Sequence, residues 1–251
     1  MAEDHGPGYV HRVSQPYEPV PDASADPSTD PATEVRRQGG LALRLAAGAG
    51  LAALVATPFV FLMLLVTSES EELESVDRSV ADAANAWAVT RPWAVDTLDV
   101  LEQVLAPWTF RAVVLVAAVL VWRRGARRLA TWAVVTMAVG GTLGVVAKSL
   151  VERARPTFAE PVATASWYSF PSGHALNSML GAGVLLLLAL PHLRRRGRIA
   201  AWSTAIAVVA LTGFDRIGLG VHFVSDVLAG WVVALAVLAG TTVAFGTRQR
   251  P

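Results

Sequence analysis

The chain has 251 residues, 53% of them hydrophobic and 16% charged, and its mean hydropathy is +0.46; these are the values of a membrane protein, not of a soluble domain. Cysteine is absent, which excludes disulfides, thiolate nucleophiles and cysteine-bound zinc. The net charge of +1 conceals an asymmetry: beyond Gln103 only Glu152, Glu160, Asp215 and Asp226 are acidic, and of the 21 basic residues one alone, Lys148, is a lysine.

Residues 1–38 hold six prolines and seven acids and almost no apolar clusters, so they read as a disordered tail in which His5 and His11 are given no role. The first apolar stretch runs from Leu41 to Val66, long enough to cross a bilayer with some tilt, and is an uncleaved anchor in preference to a signal peptide. Further spans are expected at Ala106–Trp122, Leu129–Leu150, Gly173–Leu190, Ile199–Leu219 and His222–Phe245. The second, short and carrying Pro107 and Arg111, invites an earlier start. The expected architecture is therefore all-α: six transmembrane helices in one bundle over residues 39–247, with a short C-terminal tail at 248–251.

Arginines cluster before the first span, between the second and third (Arg123, Arg124, Arg127, Arg128), between the fourth and fifth (Arg194, Arg195, Arg196, Arg198), and after the sixth. By the positive-inside rule these segments and both termini are cytoplasmic, and His192 among them is solvated. Positive-inside placement accounts for the arginines without nucleic acid; anionic headgroups of the inner leaflet are their expected partners. The segment 67–105 carries nine acids against Arg78 and Arg91 and lies outside. Within it Leu73, Val76, Val80 and Trp87, and then Leu98, Leu101 and Leu105, recur at helical spacing, as amphipathic helices at the outer interface or packed on the bundle would.

This topology brings three stretches to one outer face. Lys148, Arg155 and Pro156 end the third span; Pro171, Ser172, Gly173 and His174 begin the fourth; Arg216, His222 and Asp226 bridge the fifth and sixth. Ionisable residues at a membrane edge are costly and point to function. Ser172 is suited to cap a helix whose free N–H groups attract an anion. If the last span is helical from His222, then Asp226 lies one turn on and can hold one imidazole nitrogen while the other acts. Arg216 is an anion clamp beside them. Arg153 fits interfacial snorkelling.

The three stretches together resemble the type 2 phosphatidic acid phosphatase superfamily, integral membrane lipid phosphate phosphatases that share their site with vanadium-dependent haloperoxidases. The resemblance rests on Lys148, Arg155 and Pro156, then on Pro171 to His174, then on Arg216, His222 and Asp226. One position departs: Asp215 stands where the signature has serine, either weakening anion binding or pairing with Arg216 or Arg153. The resemblance implies His222 as nucleophile, Asp226 as its partner, and His174 as the acid that protonates the leaving oxygen and then the base that activates water. Lys148, Arg155, Arg216, Ser172 and Gly173 would hold the non-bridging oxygens. It implies no cofactor, and the acids of the third stretch are too few for a metal cage. The expected substrate is a lipid phosphate or diphosphate in the bilayer, with undecaprenyl diphosphate favoured and phosphatidic acid or phosphatidylglycerol phosphate as other choices. A haloperoxidase and a non-catalytic anion-binding scaffold are the competing expectations.

Overall fold

The computed structural model describes residues 31–246, together with Met1 and Glu3; of residues 31–38 the helical backbone alone is described. Most of the N-terminal tail and all of the C-terminal tail read from the sequence lie outside the described residues. The chain divides into two compact units, Met1–Gly40 and Leu41–Pro251. Among the described residues there are eight α-helices and no strand: α1 (Pro31–Thr67), α2 (Glu71–Val89), α3 (Pro92–Val104), α4 (Pro107–Arg123), α5 (Arg127–Val151), α6 (Gly173–Ala189), α7 (Arg195–Gly218) and α8 (Val224–Ala244). Helix α1 starts at Pro31, upstream of the boundary at 38 drawn from composition; proline is tolerated there because its missing N–H would have no intrahelical partner.

Six helical segments are long and apolar enough to cross a membrane: Gly39–Thr67, Pro92–Arg123, Arg127–Val151, Gly173–His192, Arg195–Gly218 and Val224–Ala244. The protein is a multi-pass membrane protein. Its spans turn large apolar side chains outward, among them Leu54, Phe61, Val116, Leu143 and Ile206, as a helix solvated by lipid must. The second segment does begin earlier than Ala106, but the chain breaks at Leu105 and Ala106, where Pro107 opens α4, so α3 is a separate helix.

Helices α6 and α8 lie at the centre. Leu176, Leu180 and Val184 of α6 pack with Phe110 and Val114 of α4, Trp132 and Met137 of α5, and Val233 and Val237 of α8. Small residues permit the close approaches, since interfaces in lipid depend on packing rather than on water exclusion. A Cβ at Gly48 of α1 would lie 2.6 Å from the Gly240 carbonyl of α8. The helices α2 and α3 sit on the turn between α7 and α8: Leu98 packs with Leu219 and Val221, flanked by Trp87 and Leu101. That turn needs Gly220, which adopts φ +67° against the ring of Phe158.

Candidate active site

Each of the three stretches meets at one end of the bundle, and local chemistry sets each in place. Helix α6 starts where Ser172 caps it, its hydroxyl accepting from the Ala175 N–H at 3.5 Å; the Phe170–Pro171 peptide before it is cis. The Ser172 N–H donates to the Asp226 carbonyl at 2.9 Å, which fastens this turn to α8. Gly230 makes that contact possible, because a Cβ there would lie 2.7 Å from the Ser172 carbonyl oxygen. His174 follows in the first turn, half-buried, and its ring has no hydrogen-bond partner among the described residues.

The sequence placed His222 inside the last helix; the structure starts α8 at Val224, leaving His222 just before it. The reason is capping: the Asp226 carboxylate sits in the first turn and accepts from the Phe223 N–H at 2.9 Å, stopping the helix there. The pairing itself stands, with His222 Nδ1 3.3 Å from Asp226 Oδ2. Nδ1 as donor leaves Nε2 with its lone pair, and Nε2 faces the Arg155 guanidinium at 3.2 Å. Burial pushes the His222 imidazole down to about 4, against the upward pull of Asp226, so the ring is neutral at pH 7.

Arg155 is held over His222 by carbonyls, with Nη1 donating to Val221 at 2.6 Å and Nε to Trp167 at 2.9 Å. Lys148 Nζ donates to the Tyr168 carbonyl at 2.6 Å. Carbonyls orient these cations without neutralising them, which leaves their charge available to an anion.

Arg216 differs. Its Nε donates to Asp215 Oδ2 at 2.9 Å, its Nη2 donates to the same oxygen, and its Nη1 donates to Glu102 Oε1 at 2.8 Å. Asp215 therefore takes the pairing with Arg216 and not with Arg153, and its Oδ1 has no partner among the described residues. Glu102, on α3, is the one carboxylate here with appreciable exposure, at 32%. Asp215→Ser frees two guanidinium donors and removes one negative charge from the clamp. The expected result is vanadate inhibition strengthened about tenfold, read from inhibition curves of the purified protein; weaker inhibition would make Asp215 a positioner of Arg216 instead.

Arg153 corrects the sequence reading. It does not snorkel: its side chain is 14% exposed, and it donates from Nη1 to Asp226 Oδ1 and to the Ser225 hydroxyl, each at 2.7 Å, and from Nη2 to Asp77 Oδ2 at 2.8 Å. Asp77 is fully buried, accepts from the Ser225 N–H at 3.0 Å and from the Ser225 hydroxyl, and so ties α2 to the start of α8. Four cations, Lys148, Arg153, Arg155 and Arg216, thus face four carboxylates, Asp77, Glu102, Asp215 and Asp226. Asp77, Ser225 and Glu102 were missed from the sequence. A signal existed for two of them: Asp77 is four residues after Leu73 and Glu102 four after Leu98, acids on otherwise apolar helical stripes.

Comparison with known proteins gives the family of the chain. A sequence profile of the PAP2 superfamily matches residues 129–250, which contain all three stretches. Phosphatidylglycerophosphatase B of Bacillus subtilis (strain 168) is 31% identical over 183 residues, 70% of this chain and 86% of that protein. The chain belongs to the PAP2 superfamily. Within this superfamily, the undecaprenyl-diphosphatase of Sulfolobus acidocaldarius is 33% identical over 122 residues, 47% of this chain and 55% of that one. The decaprenylphosphoryl-5-phosphoribose phosphatase of Mycobacterium tuberculosis is 37% identical over 117 residues, 45% of this chain and 59% of that one. The fold matches the crystal structure of a transmembrane PAP2 type phosphatidylglycerolphosphate phosphatase from Bacillus subtilis with a TM-score of 0.68, covering 79% of this chain and 98% of that chain at 24% identity.

Proposed function

We propose that this PAP2 protein hydrolyses a lipid phosphate or diphosphate at the outer membrane face through a phosphohistidine on His222. The observation that carries the reading is the orientation of His222: Nδ1 toward Asp226 at 3.3 Å, and Nε2 turned to the Arg155 guanidinium at 3.2 Å. In the first step Nε2 attacks phosphorus as the phosphorus–oxygen bond to the lipid breaks, and His174 gives its proton to the departing oxygen. In the second, neutral His174 takes a proton from water, the hydroxyl attacks phosphorus, and the bond to Nε2 breaks to release phosphate. Lys148, Arg155 and Arg216, with Ser172 and the Gly173 N–H, hold the non-bridging oxygens; removing one such donor costs about 3 to 4 kcal/mol of transition-state stabilisation. Arg216 shares its charge with Asp215 and Glu102, so Lys148 and Arg155 carry most of this work.

The substrate class follows from the site's place at the end of the spans, where a tail stays in the bilayer while its headgroup meets the cations. Relatives named for phosphatidylglycerophosphate, undecaprenyl diphosphate and decaprenylphosphoryl-5-phosphoribose support a lipid substrate in common. An outward-facing site suits a polyprenyl carrier lipid, and the choice among these lipids turns on residues outside the catalytic cluster. The arginine-rich inner segments support cytoplasmic termini.

Phosphate release by the purified chain tests the reading, with undecaprenyl diphosphate, phosphatidic acid, phosphatidylglycerol phosphate and a soluble phosphomonoester as the panel. Release from at least one lipid, unchanged by EDTA and blocked by vanadate, is expected; release that needs added Mg2+ would replace the cation-based mechanism with a metal-assisted one. Release from none would favour an anion-binding scaffold. In intact cells, a single cysteine placed between residues 157 and 170 should react with a membrane-impermeant label from outside.

A further inference from the structure

Of the three cations proposed to hold the phosphoryl oxygens, Arg216 alone is in salt bridges among the described residues. A guanidinium carries its N–H donors on three nitrogens, and each of these nitrogens already faces a carboxylate. Nε and Nη2 donate to Asp215 Oδ2, and Nη1 donates to Glu102 Oε1 at 2.8 Å. Two carboxylates on one guanidinium leave an excess of negative charge where an anion is to be received. Lys148 and Arg155, by contrast, donate to carbonyls and keep their charge.

The two carboxylates are not equivalent. Asp215 is fully buried and directly precedes Arg216 on α7, so it has no water to turn to. Glu102 comes from α3, its side chain is 32% exposed, and Arg216 is its one hydrogen-bond partner among the described residues. It can exchange the guanidinium for water at small cost, because a pair with an exposed member is weakly held. The helix itself is fixed. Leu98, one turn before Glu102, and Leu105, just after it, are buried, and a Cβ on Gly218 of α7 would stand 2.9 Å from Leu98 Cδ1. Rotation of the Glu102 side chain is therefore enough to free Nη1, with α3 in place. The other acids of α3, Asp96 and Asp99, are exposed, and Glu102 is the one that turns inward.

We propose that Glu102 is a built-in competitor for the phosphoryl group: its carboxylate occupies Arg216 in the resting protein, moves to water when a phosphoryl group binds, and returns as inorganic phosphate leaves. The inference rests on the phosphatase reading above and adds to it a residue that sets the affinity for substrate and product. Displacing Glu102 weakens the binding of every anion by the same factor, whether substrate, vanadate or phosphate. Substrate and transition state are weakened alike, so the contact raises KM and leaves the chemical step as it is. The benefit falls on release, since inorganic phosphate would otherwise be retained by the same donors that hold the substrate.

The test titrates vanadate and inorganic phosphate calorimetrically into the purified full chain, which needs no turnover, for the unaltered protein, Glu102→Gln, Glu102→Asp and Asp99→Asn. Glu102→Gln removes the charge at constant length and should bind both anions about tenfold more tightly, the effect of one charge-assisted contact with a partly exposed partner. Glu102→Asp is one methylene too short to keep the contact and should tighten binding by a smaller factor. Asp99→Asn removes an exposed acid of the same helix and should change binding by less than about twofold. On phosphatidic acid, KM of Glu102→Gln should fall with the anion dissociation constants, and kcat should not rise. Weaker anion binding by Glu102→Gln would make Glu102 a positioner of Arg216, and unchanged binding would mean that it is not displaced. A gain in Asp99→Asn equal to that in Glu102→Gln would make the effect one of net charge, and a rise in kcat with KM unchanged would place Glu102 in the chemical step. Each of these overturns the proposal. Should Glu102→Gln not accumulate in the membrane, binding of both anions by Glu102→Asp equal to that of the unaltered protein would overturn it as well. Tighter anion binding by Glu102→Gln, with no phosphate release from any lipid by the unaltered protein, would instead overturn the phosphatase reading and keep Arg216 as an anion site guarded by Glu102.

Discussion

His222→Ala is expected to lower phosphate release by on the order of a million-fold, to background, because removal of a nucleophile leaves only binding and charge stabilisation. Stability should fall only by the cost of the cavity left behind. The buried ring is replaced by a smaller apolar group, and Asp226 keeps Arg153 and the Phe223 N–H as partners. Residual activity near normal would sink the phosphohistidine mechanism. His174→Ala separates the two steps. With an ester whose leaving group needs no proton, the first step should proceed and the second should stall, so that phosphate becomes trapped on His222 and is detectable by labelling. The pH profile carries the sign of the same chemistry. His222 acts as the neutral base, so its contribution is complete above its lowered pKa of about 4 and is lost as pH falls through it. An acid limb near 4 in kcat/KM, after allowance for the ionisation of the substrate, is the expected result; a limb near the ordinary histidine value would mean that burial does not set the ring's charge.

The second large effect is expected at Arg153. Its guanidinium lies between Asp77 and Asp226, with Phe223 stacked beneath it at 4.3 Å. Arg153→Met leaves two buried carboxylates facing each other without a cation, and breaking a buried pair in this way costs about 3 to 5 kcal/mol. Unfolding in detergent should shift accordingly, and turnover should drop because Asp226 no longer holds His222 in register. Asp77→Asn added to Arg153→Met removes one of the stranded charges and should recover a large part of the stability, a coupling that a surface arginine would not show. Recovery of stability without recovery of turnover would separate the two roles of Arg153: holding α2 to α8, and fixing the Asp226–His222 pair. An unaltered unfolding curve for Arg153→Met would return the residue to the membrane interface.

His222, His174 and Asp226 were legible in the sequence as candidates because they are rare residue types at short fixed spacings, and because ionisable groups stand out against apolar spans. The spans themselves were legible for the same reason: a bilayer dictates length and hydrophobicity, so helices α5, α6, α7 and α8 appear within a few residues of where composition alone puts them. The capping serine at 172 was likewise readable, since its role depends only on the residues that follow it.

Tertiary structure decided what depends on residues far apart in the chain. Arg153 and Asp77 are separated by 76 residues, Arg216 and Glu102 by 114, and Arg111 and Asn177 by 66. No local pattern specifies which of nine acids in the segment 67–105 turns inward, because an acid on an amphipathic helix is stable either in water or against a buried arginine. The sequence by itself determined the membrane class, the spans and the candidate histidines. Only the packing of α2 and α3 onto the turn between α7 and α8 decided that Arg153 lies between Asp77 and Asp226, and that Asp215 and Glu102 share Arg216. Those outcomes depend on which charges are brought together out of water, and that is a property of distance in space rather than of spacing along the chain.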